Sequence, residues 1–166
     1  MIKVLFVCLG NICRSPMAEA IFRQKVIRAG LEEKFLIDSA GTGSWHIGKR
    51  PHEGTLEILT TYNIDSSEIT ARQLQQDDLK IFDYILAMDA ENLGNLHRLK
   101  GREESGEICR LLDFIPEIEV SDVPDPYFTG NFEEVYDLLE QACTELLTYI
   151  RKEKRFNKKA DSGQLF

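Results

Sequence analysis

Residues 2–20 read IKVLFVCLGNICRSPMAEA, and the character of that stretch changes halfway along. Apart from Lys3, residues 2–8 are apolar, with no polar alternation to mark a solvent face. A short continuous run of this kind is the signature of a strand buried on both faces. Ser15 is a good helix N-cap, and Pro16 suits the first helical position. Ala18, Ile21, Phe22, Val26 and Ala29 then recur at helical spacing, and Gly30 supplies the stop. Residues 1–30 therefore read as strand, tight loop, helix.

The alternation continues outward from there. FLIDSAGT (35–42) reads as a second strand, followed by a loop that carries Trp45, His46 and Pro51. Residues 53–62 and 76–82 read as helices, YILAM (84–88) as a third buried strand, and 89–100 as another helix. Residues 107–112 give a fourth strand. A long loop with Pro116, Pro124 and Pro126 precedes a final helix over 131–154, whose buried stripe is Val135, Leu138, Leu139, Ala142, Leu146, Leu147 and Ile150. Strands separated by helices imply an α/β domain around a parallel, doubly wound sheet, with ligands bound outside the carboxyl ends of the strands. One domain over 1–155 is expected, followed by a basic, disordered tail over 156–166.

Charge and composition narrow the function classes. The chain of 166 residues has a net charge of −8, unevenly spread. Residues 151–166 carry six basic and two acidic groups, a net of +4, which leaves −8 − 4 = −12 on residues 1–150. So acidic a body disfavours nucleic acid as a partner. No apolar run approaches the ~20 residues of a membrane helix, and the amino terminus makes a poor signal peptide. Four cysteines without secretory context suggest reduced thiols in the cytoplasm. The sequence leaves the oligomeric state open.

The loop after the first strand carries the chemistry. A strand-to-helix loop with inward-facing amides makes an anion cradle, and the helix amino terminus adds partial positive charge. Gly10 permits backbone geometry that a β-carbon would hinder, and Arg14 offers a planar fork to two phosphate oxygens. Cys8 stands at the mouth of this cradle, where helix ends and cations favour a thiolate and Ser15 can donate a hydrogen bond to it. Facing a bound phosphate monoester, that thiolate is an in-line nucleophile. Departure of the alcohol needs an acid, and Asp125 in VPDPYF (123–128), fixed between two prolines, is the best candidate. Tyr127 and Trp45 would wall the entrance.

Each of these residues also has a plainer role. Cys8 and Cys13 could be zinc ligands or a standing disulfide, but Cys109 and Cys143 are single and no histidine pair has ligand spacing. Cys109 and Cys143 read as core residues, and His46, His52 and His97 as surface or supporting groups. Asp125 could simply shape a turn, Trp45 pack, and Asp89 cap the helix that follows it.

The pattern of Cys8, five residues and then Arg14-Ser15, followed by PMAEA and the distant DPY (125–127), resembles the low-molecular-weight protein tyrosine phosphatases. IDSAGT (37–42), LAMD (86–89) and FEEVYDLLEQAC (132–143) extend the likeness over most of residues 2–150. The resemblance implies a three-layer, flavodoxin-like domain with a four-stranded parallel sheet. It implies hydrolysis of phosphotyrosine in proteins, or of small aryl phosphates, without metal or cofactor, releasing inorganic phosphate. Cys8 would be the nucleophile, Arg14 the phosphoryl ligand and Asp125 the general acid and base. Leu9, Gly10, Asn11, Ile12, Cys13 and Ser15 would complete the phosphate-binding loop, with Asn11 holding its conformation and Ser15 assisting the thiolate. Trp45 and Tyr127 would flank the ring, Asp89 would support the site from behind, and Cys13 would be a redox partner for Cys8.

Three other activities compete on the same loop. Arsenate reductases of this fold need further cysteines at and beyond the third strand, and residues 84–104 contain none. Protein-arginine phosphatases resemble GNTCRSP, with Thr in place of Ile12, and tend to carry Phe in place of Tyr127. A phosphocarrier would preserve the phosphocysteine, whereas Asp125 points to turnover.

Overall fold

The protein, described here from a computed structural model, is resolved into elements over residues 1–155, so the expected tail 156–166 lies outside the described residues. Strand β1 (Ile2–Cys8) pairs in parallel with β2 (Phe35–Gly41) on one side and β3 (Tyr84–Ala87) on the other. Strand β4 (Glu107–Arg110) extends the sheet beyond β3, giving the order β2-β1-β3-β4. The helices are α1 (Arg14–Arg28), α2 (Glu53–Thr61), α3 (Asp78–Ile81), α4 (Ala90–Lys100), α5 (Pro126–Thr129) and α6 (Phe132–Glu153). This is the flavodoxin-like winding, and the order reverses between β1 and β3. The carboxyl end of β1, where Cys8 lies, is therefore at the switch point that this topology opens to ligands.

The apolar run of β1 is explained by burial on both sides. Val4, Phe6 and Cys8 face the core shared with α1 and α6, while Leu5 and Val7 face the core shared with α4. β3 splits the same way, with Tyr84 and Leu86 on the first face and Ile85 and Ala87 on the second. On α6 the expected stripe is buried at Val135, Leu139, Ala142, Leu146, Leu147 and Ile150, joined by Cys143, while Leu138 is half-buried. Each such aliphatic side chain contributes ~1.5–3 kcal/mol relative to exposure. Among the described residues no helix is long and apolar enough to cross a membrane.

Three features differ from expectation. β4 stops at Arg110 rather than 112, because its partner β3 ends opposite at Ala87 and offers no further ladder. Residues Leu111–Phe114 wind instead into a 3-10 turn that buries Leu111 and Leu112. A second 3-10 turn, Glu32–Lys34, leads into β2 and was not anticipated. The long proline-bearing loop is not structureless, since it contains α5. Asp125 caps α5 by accepting a hydrogen bond from the Tyr127 amide at 3.0 Å, and Gly130 ends it at φ 74°.

Candidate active site

Between β1 and α1 the chain turns, and protein donors take the carbonyls of Cys8, Leu9, Ile12 and Cys13. The carbonyls of Cys8 and Leu9 accept from the amides of Thr42 and Gly43 at 3.0 and 2.9 Å, and that of Ile12 from the amide of His52 at 2.7 Å. The Thr55 hydroxyl donates to the carbonyl of Cys13 at 3.1 Å. Among the described residues no protein acceptor takes the amides of Leu9 through Cys13. A loop with four of its carbonyls taken and its amides unpartnered leaves N–H groups available, which suits a tetrahedral anion.

Two local assignments shift. The left-handed residue of the turn is Asn11, at φ 56°, and not Gly10. Asn tolerates that region because its short polar side chain bonds locally. The Asn11 carboxamide donates to Ser15 Oγ at 2.8 Å and Ser39 Oγ at 3.0 Å, and accepts from the Arg72 amide at 2.9 Å. Gly10 matters for space, because a β-carbon there would come within 3.1 Å of the His46 ring. Ser15 is inside the first turn of α1 and not its cap, which is Cys13 with no side-chain cap bond. The Ser15 hydroxyl is instead fully buried, 2.9 Å from Cys8 Sγ. No side chain caps the leading amides of the helix.

Arg14 is the best-anchored side chain of the site. It is 3% exposed; its Nη1 donates to Asp89 Oδ2 at 2.7 Å and to the Val123 carbonyl at 2.9 Å, and its Nη2 lies 3.5 Å from Asp125 Oδ2. Burial on its own disfavours the guanidinium charge, but Cys8, Asp89 and Asp125 outweigh it and raise the Arg14 pKa above its ordinary value. The other oxygen of Asp89 caps α4 by accepting from the Asn92 amide at 2.8 Å. Val123 is itself held in place, its amide donating to the Met88 carbonyl at 2.8 Å. The carboxyl end of β3 thus positions both the guanidinium and the loop that carries Asp125.

These groups line one cavity of about 370 Å³. Cys8, Leu9, Gly10, Ile12, Cys13 and Arg14 form its base, and Asp125, Trp45 and Tyr127 its walls. Trp45 is 67% and Tyr127 56% exposed, so neither is ordinary packing. Every expected site residue therefore meets here except Asn11, Ser15 and Asp89, which hold it from behind.

No site role was expected of Ser39, the Val123 carbonyl or Phe128, and His46 was expected only as a surface or supporting group. Ser39, within IDSAGT, anchors Asn11, and the Val123 carbonyl anchors Arg14; main-chain and buried hydroxyl partners leave no local signature. Phe128, 78% exposed, and His46 also line the cavity. Phe128 had a usable signal, an aromatic directly after Tyr127 in the same proline-fixed turn. His52 caps α2 and stacks on Phe132, with ring centroids 5.1 Å apart, while His97 is exposed.

The four cysteines are all free. Cys143 is fully buried and Cys109 half-buried, so only the first matches the expected core position completely. Burial, followed by the proximity of Cys8 and Asp125, pushes the Cys13 thiol up to about 12. Among the described residues no group of three or more His, Cys, Asp or Glu side chains is placed to hold a metal ion.

Residues 3–156 match a family model described as low molecular weight phosphotyrosine protein phosphatase. The low molecular weight protein-tyrosine-phosphatase YfkJ of Bacillus subtilis is 57% identical over 155 residues, covering 93% of this chain and 99% of that protein. The crystal structure of YfkJ matches with a TM-score of 0.91, covering 93% of this chain and 97% of that one. The low molecular weight protein-tyrosine-phosphatase PtpA of Staphylococcus epidermidis is 45% identical over 153 residues, covering 92% of this chain and 96% of that protein. A Drosophila arginine phosphatase structure matches with a TM-score of 0.84 at 33% identity, covering 90% of this chain and 98% of that one.

Proposed function

We propose that this chain, which belongs to the low molecular weight phosphotyrosine protein phosphatase family, hydrolyses phosphotyrosine through a phosphocysteine on Cys8. The observation that carries this reading is one cavity shared by the Cys8 thiol, the Arg14 guanidinium, the Asp125 carboxyl group and a loop of unpartnered amides. In the first step Cys8 Sγ attacks phosphorus as the bond to the tyrosine oxygen breaks, and Asp125 gives its proton to that oxygen. In the second, Asp125 takes a proton from water, whose oxygen attacks phosphorus. The phosphorus–sulfur bond breaks, inorganic phosphate leaves and the thiolate returns. The loop amides and Arg14 stabilise the equatorial oxygens, where charge spreads in both transition states. The chemistry needs Cys8 reduced, which suits a cytoplasmic location.

Substrate class follows from the walls. Ile12, at 9% exposure, presents an aliphatic surface in the cavity, and Tyr127 and Trp45 rise around it, an arrangement that suits a flat aryl ring. The likeness to an arginine phosphatase keeps phosphoarginine as the second reading. Under identical conditions phosphotyrosine should turn over faster than phosphoarginine or phosphoserine, and a faster phosphoarginine rate would overturn this substrate choice. In the same assay Asp125→Asn should lower kcat for phenyl phosphate by ~10²–10⁴-fold. The loss should be smaller for p-nitrophenyl phosphate, whose leaving group needs less protonation. Equal losses on both esters would remove Asp125 from the acid role.

Cys13 is suited to protect Cys8. Peroxide would oxidise Cys8 to a sulfenic acid, and Cys13 Sγ would displace its hydroxyl group as water to close a disulfide. Oxidation of Cys8 also removes one of the charges that keep the Cys13 thiol protonated. Wild type treated with peroxide should regain activity with a thiol reductant, whereas Cys13→Ser should recover poorly. Equal recovery of the two, or no Cys8–Cys13 link by mass spectrometry, would remove Cys13 from this role.

A further inference from the structure

Trp45 divides two cavities. On one side lies the phosphate cavity; on the other lies a second of about 440 Å³, which shares Leu9 and Trp45 with the first. The indole lies flush on the backbone of Gly43, where an added β-carbon would come within 1.9 Å of the ring. The partition is therefore a ring seated on a glycine, with its upper part open to solvent. Beyond it the second cavity is lined by the polar side chains of Thr42, Gln73 and Asn95 and by the apolar ones of Leu74 and Leu99.

The far wall is held in part by main-chain pairing. Gln73 forms a parallel bridge with Gly41 at the end of β2, and the Leu74 amide donates to the Gly41 carbonyl at 2.8 Å. Asn95 stands on α4, where its carbonyl oxygen accepts from Arg98. The Gln73 carboxamide has no hydrogen-bond partner among the described residues, while its main-chain carbonyl accepts from the side chains of Arg72 and Gln75 at 3.4 Å. A carboxamide both donates and accepts, so Gln73 and Asn95 match the needs of a peptide backbone. Leu74 and Leu99 beside it suit an aliphatic side chain.

We propose that this second cavity binds the substrate polypeptide one or two residues from the phosphotyrosine, with an aliphatic side chain against Leu74 and Leu99. The inference rests on the phosphatase reading above and deepens it by naming a feature of the protein substrate. Continuity with the phosphate cavity across Trp45 identifies the occupant. A chain whose phosphotyrosine reaches Cys8 must leave over the rim, and at ~3.3–3.6 Å per residue one or two residues span an indole. Small aryl phosphates would use the first cavity alone.

The test compares p-nitrophenyl phosphate with two phosphotyrosyl peptides, one with leucine and one with glycine on both sides of the phosphotyrosine. Two variants are used, Gln73→Ala to remove a backbone partner and Asn95→Trp to fill the cavity. Wild type should prefer the leucine peptide, and each variant should raise its KM about tenfold, the scale of one lost interaction of ~1.4 kcal/mol. Turnover of p-nitrophenyl phosphate should stay within about twofold in both variants, since neither residue touches the first cavity. No preference between the peptides in wild type, or parallel losses on all three substrates, would overturn the proposal. A wild type inactive on p-nitrophenyl phosphate would overturn the phosphatase reading, and this inference with it.

Discussion

Cys8→Ser should lose turnover by ~10⁴-fold or more on p-nitrophenyl phosphate while keeping its fold and its affinity for inorganic phosphate. A serine hydroxyl is a weak nucleophile at its free pKa, and nothing in the site is arranged to deprotonate it. Its nearest polar neighbour, the Ser15 hydroxyl at 2.9 Å, is itself held by Asn11, a donor. That arrangement stabilises a thiolate already formed but offers no base to generate an alkoxide. The exchange of sulfur for oxygen barely changes volume at a position 3% exposed, so the loop should keep its shape. On the proposed mechanism, phosphate binding would rely on the loop amides and Arg14, which the substitution leaves alone. Rapid quenching of wild type should trap phosphate on Cys8. A Cys8→Ser variant within tenfold of wild type would remove the covalent mechanism, and one that also loses phosphate affinity would show a disturbed loop instead.

That prediction depends on features the sequence carried unequally. The buried strand β1, the loop and α1 were legible because residues 2–8 need no solvent face and residues 18–29 keep helical spacing. The motif residues Cys8, Arg14 and Asp125 were legible because their chemistry restricts the choice of residue. Their supports were not. The Ser15 hydroxyl can cap a helix or serve a thiol, and only the nearness of Cys8 and Asn11 decides which. Gly10 was expected to give the turn its backbone freedom, yet the left-handed residue is Asn11, whose side chain is fixed by three hydrogen bonds. The loop around Asp125 read as irregular because prolines break patterns. Pro126 instead starts the short helix that Asp125 caps, so one residue shapes the turn and faces the cavity. End positions of β4 were hidden for a similar reason: a strand stops where its neighbour stops.

Arg14→Lys is the other change expected to be drastic, and its effect should be double. A buried guanidinium is held by Asp89 and the Val123 carbonyl through Nη1, while Nη2 faces Asp125. Its Nε has no protein hydrogen bond among the described residues, so one end of the plane is anchored while other N–H groups remain for phosphate oxygens. Lysine has a single nitrogen. It can replace the anchor or reach the phosphate, but it cannot present a fork while anchored. Catalysis should therefore fall by ~10²–10³-fold in kcat/KM, the scale of losing one preorganised donor to transition-state charge. Arg14→Ala should lose at least as much, and should also destabilise the fold, because it leaves Asp89 and a buried carbonyl without their partner, at ~1–3 kcal/mol for an orphaned group. Thermal melts with and without inorganic phosphate separate the two effects. A ligand that binds only the folded state raises the melting temperature, and more so the further its concentration exceeds its Kd. Wild type and Cys8→Ser should therefore gain from phosphate, while both Arg14 variants should gain little. An Arg14→Lys protein that keeps its phosphate-dependent stabilisation and most of its turnover would show that the amides alone bind the anion, and the guanidinium would then be a structural pin for the Asp125 loop.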